Sequence, residues 1–490
     1  MRADRGAAWA QDARRASLEW RIEPRSHDPV HRRCRPTNRL RHVRLLCFLA
    51  RCGRAVTGVA QRPGGLPEHW IAIGVLLTCA TINLVSRGIG ETFAIFLLPI
   101  AREFSADRAV LTGIYSAYML TMGFISPLVG MFFDRFGPRA CYGVGLGVFA
   151  LACLLASAAT ALWQLHGLLG IGGAIGATMV GMLPASTLAS RWFGRRLPTA
   201  MGVLAATMGV GILLFAPLSQ TLVGEFGWRG AYRMLGSVLA VMAFLVLFLP
   251  WKRIAAGSDK SLRAKAAAVS GTRGWTIPLA LKTPVFWALF GIMFWTSIST
   301  YAVSVQLVAY LVESGVAPLR AASTLGFVGL VSIAGMVVSA ALAERIGEVR
   351  VAAVSYSSTI AGVAALALVS LVDRSHEYLF ITAFVLLFGT MQGTRGPLVA
   401  VLSARHFAGG RQTGIYGAVL FGMGSGGALG SWGSGALYDL TGDYLAGFAL
   451  SAAGAVCGLL IFLAMPRWAT AAGPLVRPAA ASPAQPPSSR

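Results

Sequence analysis

Three charged side chains lie inside long apolar segments of this chain, where a charge requires a physical reason. Arg87 and Glu91 are four residues apart, so a helix would place them on one face. Arg395 lies two residues after Gly393 in the stretch GTRGPL, whose glycines and proline permit an irregular backbone. A charge at the centre of a membrane costs roughly 2.5–3.5 kcal/mol. We therefore expect each of these groups to face a cavity or a partner.

The types of these residues suggest two kinds of chemistry. Arg87 is suited to attract an anion and Glu91 to exchange a proton; the alternative interpretation is that they neutralise each other. The guanidinium of Arg395 is suited to bidentate recognition of a carboxylate; the alternative is that it extends toward the cytoplasmic interface. Six polar or aromatic side chains are candidates for the cavity wall, although each also fits helix packing. They are Asn83, Tyr115, Tyr118, Tyr301, Gln306 and Tyr416.

The composition indicates which elements hold these side chains. Of the 490 residues, 56% are hydrophobic and 12% are charged, which is about half the charged fraction of a soluble protein. Apolar segments of roughly 20 or more residues recur, and each is long enough to cross a bilayer. We therefore predict an all-α membrane protein with twelve transmembrane helices. Their predicted starts lie near Trp70, Arg108, Arg139, Trp163, Pro198, Arg229, Pro284, Arg320, Val349, Glu377, Gln412 and Tyr444.

The basic residues that give the chain its net charge of +23 are divided unequally between the two sides of the predicted membrane. An even number of helices puts both termini on one side, and that side also collects most of the Arg and Lys residues between helices. This bias predicts that both termini are cytoplasmic. We expect a multi-pass protein of the cell (inner) membrane, surrounded by lipid, with no nucleic acid as a partner.

The two halves of the chain repeat each other. MGVLAATMGVG, from Met201, is echoed by YGAVLFGMGSG from Tyr416, and the preceding RWF is echoed by RHF. Such repetition predicts two pseudo-symmetric six-helix lobes. Four shared glycines are expected to permit close packing where the lobes meet. They are Gly209, Gly211, Gly424 and Gly426.

The predicted domain boundaries follow the apolar segments. The lobes span 68–253 and 283–467, and a cytoplasmic loop at 254–282 joins them. Residues 1–67 form a basic tail, interpreted either as disordered or as an over-extended gene start. Residues 468–490 form a second disordered tail, rich in Pro, Ala and Ser.

The connector GMFFDRFGPRA concentrates charges and turn residues between two apolar segments. Its Asp134, at a helix end, can pair with groups of the other lobe, and such a contact biases a two-state equilibrium. ALAERIGEVR is a weaker copy that supplies Glu344 and Arg345 at the equivalent positions. We predict that both connectors take part in gating; the alternative is a solvated, positively charged loop.

This connector resembles the signature of the major facilitator superfamily, which is a Gly, then Asp-Arg, a Gly and a further basic residue. The matching residues are Gly130, Asp134, Arg135, Gly137 and Arg139. The resemblance covers residues 68 to 467 and implies the two-lobed facilitator fold. It also implies that the loop stabilises the outward-facing state.

Four stretches are similar to the branch of monocarboxylate porters and oxalate-formate antiporters. They are ETFAIFLLPIAREF, RWFGRRLPTAMGV, QLVAYLVESG and GALYDLTGDY. The chain departs from that branch near Glu91, where the branch has a basic residue that helps bind the substrate carboxylate. It departs again at Ser332 and Met336, where the eighth helix of the branch carries an Asp and an Arg.

Together these features predict a secondary transporter for a small organic anion, such as a carboxylate, with proton symport or exchange. The alternative within transport is efflux of amphipathic or cationic compounds, with Glu91 recognising the positive charge. A different class is a sensor or scaffold that no longer transports. No enzyme activity and no cofactor are expected, because the helices lack paired catalytic groups and the chain lacks a GxxxxGK[ST] loop. We expect a monomer.

Overall fold

A computed structural model describes five stretches of the chain, and they are residues 68–194, 196–257, 275–371, 376–407 and 412–471. The predicted N-terminal tail lies outside the described residues. So do much of the predicted inter-lobe loop and nearly all of the predicted C-terminal tail.

The described part of the chain crosses the membrane twelve times. Nine of its helices are long and apolar enough to span a bilayer, and two of these, Arg108–Ala156 and Leu197–Leu247, have 49 and 51 residues. At 1.5 Å per residue each is more than twice as long as the ~30 Å hydrocarbon core. Each therefore makes two crossings. Gln412–Thr441, with 30 residues, supplies the twelfth.

The helices are numbered in chain order. Those of the first half are α1 His69–Phe104, α2 108–136, α3 138–156, α4 Leu162–Trp192, α5 197–226 and α6 228–247. Those of the second half are α7 Pro284–Glu313, α8 Pro318–Ile346, α9 Glu348–Leu371, α10 Glu377–Ser403, α11 Gln412–Thr441 and α12 Leu445–Ala471. Every helix begins within about two residues of its predicted start, which confirms the all-α membrane fold.

Glycine makes the two turns inside the longest helices. Gly137 has φ 79° and Gly227 has φ 67°, a region that glycine adopts without a steric penalty. Gly347, between α8 and α9, has φ 89° and is the counterpart of Gly137. The connector after α2 and its weaker copy after α8 therefore share a backbone geometry as well as a sequence pattern.

A second irregularity also recurs in both halves. α4 contains a π-helical segment at His166–Gly173, and α10, its counterpart, contains one at Val385–Gly389. Such segments are rare and often lie at functional sites. Their paired occurrence supports the two pseudo-symmetric six-helix lobes that the sequence repeats predict.

The lobes meet through α2 with α11 and through α5 with α8. Gly209 of α5 lies against the backbone of α8, and Gly424 of α11 lies against the backbone of α2. Gly211 and Gly426 instead touch α1 and α7 within their own lobes. Two of the four predicted interface glycines therefore lie between the lobes, and the other two bring helices together inside a lobe.

The two ends of the bundle are named here by one charged residue each. The Asp134 end carries the start of α1, the α2–α3 and α8–α9 connectors and the end of α12. The Arg108 end carries the start of α2, the α5–α6 and α7–α8 connectors and the start of α12.

Candidate functional site

The first helix is interrupted near its middle, and the interruption carries a charged pair. α1 leaves regular helical geometry at Glu91 and Thr92 and resumes at Phe93. The carboxylate of Glu91 accepts a hydrogen bond from Nη1 of Arg87 at 3.1 Å. Arg87 lies about 29 Å along the helix from Glu68 at 1.5 Å per residue, which is close to the midpoint of α1. The two charges therefore meet at mid-depth, as their spacing predicts.

The seventh helix has the same interruption. α7 leaves regular helical geometry at Val305 and Gln306, so the break in α7 corresponds to the break in α1. Gln306 is buried, and its Nε2 donates to Oγ of Ser434 at 3.3 Å. Its Oε1 has no hydrogen-bond partner among the described residues. Broken helices near the membrane midplane commonly form binding sites between two repeats.

Three tyrosines surround the charged pair. Tyr115 of α2 donates its hydroxyl proton to the second carboxylate oxygen of Glu91 at 2.6 Å. The ring of Tyr115 packs against Tyr118 at 5.6 Å and against Tyr301 of α7 at 5.7 Å between ring centres. Tyr301 belongs to the other lobe, and its contact with Tyr115 brings that lobe to the charged pair. Five of the predicted site residues are therefore brought together between the lobes.

Arg87 keeps hydrogen-bond donors that no protein group uses. Its Nη1 contacts Glu91 at 3.1 Å and the sulfur of Met122 at 4.0 Å. Its Nε and Nη2 have no hydrogen-bond partner among the described residues, and its side chain is 15% exposed. A guanidinium carries five N–H donors in a planar fork. The group can therefore neutralise Glu91 and still offer an edge to a ligand oxygen.

A small cavity lies beside the charged pair, within the first lobe. Its volume is about 30 Å³, and α1, α2, α3, α4 and α6 line it. Tyr115 and Tyr118 form part of its wall, so the cavity and the charged pair share these two side chains. The hydroxyl of Tyr118 is buried and has no hydrogen-bond partner among the described residues.

Arg395 lies apart from this site, against α9. Its guanidinium donates to Oγ of Ser355 at 3.1 Å, to the Ser355 carbonyl at 3.0 Å and to Oγ1 of Thr359. It also lies 4.1 Å from the ring centre of Tyr356. With 3% exposure, it reaches neither the Arg87–Glu91 pair nor the membrane interface. The predicted contact of Arg395 with an anion stays a prediction.

Asn83 and Tyr416 also lie away from the charged pair. Nδ2 of Asn83 donates to the Leu204 carbonyl at 3.2 Å and to Oγ1 of Thr207 at 2.8 Å, which ties α1 to α5. Tyr416 packs against an apolar cluster of the second lobe that includes Phe286 and lies toward the Asp134 end. In this conformation both residues make helix contacts, which was the alternative interpretation of each.

Charged residues also join the lobes at the Arg108 end. The guanidinium of Arg108 forms an ion pair with Glu313 at the end of α7 and lies 5.1 Å from the ring centre of Tyr438. Tyr444 donates to the other oxygen of Glu313 at 2.6 Å. Burial raises the pKa of Tyr444, so its hydroxyl stays protonated and remains a donor. We call Arg108, Glu313, Tyr444 and Asp439 the Arg108 cluster.

Asp439 supplies the remaining contact of this cluster. Its carboxylate accepts the backbone N–H groups of Arg108 at 2.8 Å and Ala109 at 2.7 Å, where a negative charge stabilises a helix N-terminus. Deeper between α2 and α11, Oγ of Ser116 donates to the Ala428 carbonyl at 2.8 Å. Within the described residues, the hydrogen bonds between the lobes lie between this end and the middle of the bundle.

The sequence did not predict the Arg108 cluster. In the sequence Arg108 marks only a predicted helix start, although QLVAYLVESG and GALYDLTGDY contain Glu313 and Asp439. Spacing along the chain does not reveal this cluster, because its partners come from helices of different lobes. The signal that was present is an acidic residue at the end of α7 and another at the end of α11, both facing the same end as Arg108.

The predicted gating residues lie at the opposite end. Asp134, Arg135 and Arg139 are exposed, and so are Glu344 and Arg345. The ion pairs between described residues include none of these five. Gly130 and Gly137 of the same connector have open space around them. The connector therefore forms no ion pair with a described residue of the other lobe, and its gating role stays a prediction.

Comparison with known proteins agrees with this geometry. The family model of the Major Facilitator Superfamily matches residues 76–431. Monocarboxylate transporter 13 of Bos taurus is 26% identical over 405 residues, covering 82% of this chain and 91% of the relative. Monocarboxylate transporter 11 of Homo sapiens is 27% identical, covering 85% and 88%. The uncharacterized MFS-type transporter YcxA of Bacillus subtilis is 24% identical, covering 76% and 89%.

Solved structures share the fold. A mutant of the nucleoside transporter NupG superimposes with a TM-score of 0.64 at 13% identity, covering 80% of this chain and 99% of that structure. A bacterial homolog of the human lysosomal transporter Spinster gives a TM-score of 0.59 at 15% identity, covering 84% and 96%. The chain belongs to the major facilitator superfamily and is a multi-pass membrane transporter, not an enzyme.

Proposed function

We propose that this transporter moves a small organic anion, such as a carboxylate, by alternating access, with coupling to a proton or exchange for a second anion. The observation that carries the proposal is the free edge of Arg87 at the break in α1, between the lobes. A guanidinium edge matches a carboxylate in geometry and charge. The relatives whose names include monocarboxylate transport support the same substrate class.

The charge balance inside the helices favours an anion over a cation. Among the described residues, the charged groups near mid-depth are Arg87, Glu91 and, deeper in the second lobe, Arg395. Their formal sum is positive, and Arg395 has no carboxylate partner among them. Both oxygens of Glu91 are already engaged, by Arg87 and by Tyr115. This engagement disfavours the alternative of cation efflux through Glu91.

The same balance suggests how a proton is coupled. A proton on Glu91 removes the charge that neutralises Arg87, and the freed guanidinium then pairs with the incoming anion. The site carries the same net charge when it is empty and when it holds both an anion and a proton. Moving charge through the membrane core is expensive, so these two forms exchange sides more readily than a form that holds the anion alone. Proton symport and anion exchange both follow from this rule.

The orientation is part of the proposal. Basic residues between helices favour a cytoplasmic Asp134 end with both termini beside it, in the cell membrane. The described conformation, whose lobes are joined at the Arg108 end, then corresponds to an inward-facing state. The rocking of two lobes around one site needs no second subunit, so we propose a monomer.

The test is a thermal-shift screen of small organic acids on purified protein at two pH values. We expect at least one acid to raise the melting temperature of the wild type, more strongly at the lower pH. Arg87→Gln should abolish that shift, because it removes the charge that binds the anion. Arg229→Gln is the control, since it removes a guanidinium that pairs with Glu103 at the Arg108 end, away from the charged pair. The proposal fails if no acid stabilises the wild type, or if the shift survives in Arg87→Gln.

Glu91→Gln tests the coupling separately. The amide cannot release a proton, so net uptake driven by a pH gradient should stop while exchange of one anion for another continues. Uptake and exchange of a labelled acid into proteoliposomes measure the two activities. Proton-driven accumulation by Glu91→Gln at the wild-type rate would assign the proton to another group.

A further inference from the structure

The charged pair at the break in α1 has a counterpart at the Arg108 end of the bundle. In both places one oxygen of a glutamate accepts a hydrogen bond from an arginine, and the other accepts one from a tyrosine hydroxyl at 2.6 Å. The central set is Arg87, Glu91 and Tyr115, and the second set is Arg108, Glu313 and Tyr444. The arrangement that we propose for anion binding therefore occurs twice.

Arg108, like Arg87, keeps a donor that no protein group uses. The residue is 8% exposed, and its Nη1 is buried without a hydrogen-bond partner among the described residues. Its other terminal nitrogen, Nη2, contacts both Glu313 and the hydroxyl of Tyr444. Buried polar groups are nearly always hydrogen-bonded. An ion pair that serves packing alone therefore leaves one edge of this guanidinium unexplained.

The two sets differ in how they are divided between the lobes. Arg87 and Glu91 lie in one helix, whereas Arg108 lies in the first lobe and Glu313 in the second. When the lobes part at this end, Arg108 stays on α2 and loses its carboxylate partner. The side chain of Glu313 is already 35% exposed, so water can solvate it there. The guanidinium of Arg108 is then free to pair with another oxyanion in bidentate geometry.

A row of buried polar side chains connects this end with the central pair. Arg108 precedes Tyr115 by seven residues, which is about 10 Å along α2 at 1.5 Å per residue. The side chains between the two levels are Thr112, Ser116, Gln306, Ser431 and Ser434. Oγ of Ser116 bonds the Ala428 carbonyl, and Oγ of Ser431 bonds the Thr112 carbonyl at 3.0 Å. Because these bonds join α2 to α11, separation of the lobes exposes polar groups from Arg108 inward.

We propose that Arg108 is a second anion site, which binds a small carboxylate when the lobes part at this end and releases it toward Arg87. The anion takes the place of Glu313 on the guanidinium. The site is therefore filled only in the open state, and the end closes only after the anion has left. A ligand that binds one of two states shifts the population toward that state. The step from Arg108 to Arg87 rests on the proposed function.

The test is the labelling rate of Ser116→Cys by a maleimide on full-length purified protein in detergent, with sodium acetate as the probe. Sodium chloride at the same ionic strength measures screening of the ion pair. Acetate at ten times its dissociation constant for the open state should raise the labelling rate about tenfold. A response to acetate no larger than the response to chloride would overturn the proposal.

Two substitutions break the same ion pair from opposite sides. Arg108→Gln and Glu313→Gln should both raise the labelling measured without acetate, because each removes one partner. Glu313→Gln keeps the anion site and removes its competitor, so acetate should act at about tenfold lower concentration. Arg108→Gln should show no response to acetate beyond that to chloride. Equal responses of the two variants would show that the ion pair is only structural and would overturn the site.

Arg229→Gln is the control for loss of a guanidinium at this end. Arg229 pairs with Glu103 inside the first lobe, so the variant should respond to acetate as the wild type does. A response that is lost in Arg229→Gln as fully as in Arg108→Gln would contradict a site at Arg108.

Arg87→Gln separates this inference from the proposed function. The acetate response should persist in Arg87→Gln, because Arg108 is intact. Loss of the response in Arg87→Gln together with its survival in Arg108→Gln would assign it to the central site and overturn the inference. Where the closed state dominates, the open fraction lowers the apparent affinity of Arg108, so a thermal shift at low acid concentration reports Arg87. If no acid gives that shift while the Arg108-dependent labelling response remains, the proposed function fails and the second site stands.

Discussion

The Arg108 end and the Asp134 end of this transporter are built differently, although each carries charged residues of both lobes. At the Arg108 end, Arg108 is buried against Glu313 and Tyr444 across the lobe boundary. At the Asp134 end, Asp134 and Glu344 are exposed and belong to no ion pair among the described residues. Arg108 thus pairs across the lobe boundary, whereas Asp134 and Glu344 form no such pair among the described residues.

The difference between the two ends shows what sets the equilibrium between the two states of such a fold. Contacts that form at one end only in one state bias the equilibrium by the difference in their free energies. Asp439 stabilises the start of α2 only while α11 lies against it. We predict that the Asp134 connector forms its contacts between the lobes in the opposite state. Weakening either end should therefore move the equilibrium, and the two ends should move it in opposite directions.

The largest expected shift of this equilibrium comes from substituting Gly435 of α11. A Cβ there would collide with the backbone of Arg108 and Ala109, so Gly435→Ala should keep the Arg108 end from closing. Overpacking of this kind costs roughly 1–3 kcal/mol, which shifts the equilibrium by up to about a hundredfold. The readout is the labelling rate of Ser116→Cys, which lies beneath the Arg108 cluster. Gly417→Ala, in the same helix with open space around it, should have no effect.

Arg108→Gln should produce a smaller shift in the same direction. It removes the charge that pairs with Glu313, but the Asp439 contacts to the backbone remain. Because the side chain of Glu313 is 35% exposed, we expect about a tenfold rise in the labelling of Ser116→Cys. Arg320→Gln is the control, since Arg320 starts α8 at the same end and contacts Tyr378 of its own lobe. Equal effects of the two substitutions would contradict a specific role for Arg108.

The smallest effect is expected from Asp134→Asn, and its sign is opposite. Asp134 forms no ion pair among the described residues, so the substitution should destabilise only the other state. Labelling of Ser116→Cys should then fall about threefold, since exposed charge contacts contribute less than about 1 kcal/mol. Glu344→Gln, in the weaker copy, should act in the same direction by less. A rise in labelling with Asp134→Asn would show that the connector stabilises the described state instead.

Hydropathy and repetition predicted the helices, the lobes and the Arg87–Glu91 pair, because each depends on local pattern or on spacing within one helix. The partners of Arg395 and the Arg108 cluster could not be predicted in that way. Ser355 and Thr359 lie on another helix than Arg395, and Glu313 lies in another lobe than Arg108. The resemblance around Asp134 implies contacts that stabilise the outward-facing state, but the sequence does not show which residues of the other lobe form them.

Alternating access is tested most directly by labelling both ends in one preparation. Ser116→Cys reports on the Arg108 end. Phe124→Cys reports on the Asp134 side of the lobe boundary, where the ring centres of Phe124 and Phe421 are 4.7 Å apart. On purified protein in detergent, where a maleimide reaches both ends, Gly435→Ala should raise the labelling of Ser116→Cys and lower that of Phe124→Cys. Labelling that rises or falls together at both positions, or a Ser116→Cys that stays protected under every condition, would contradict the account.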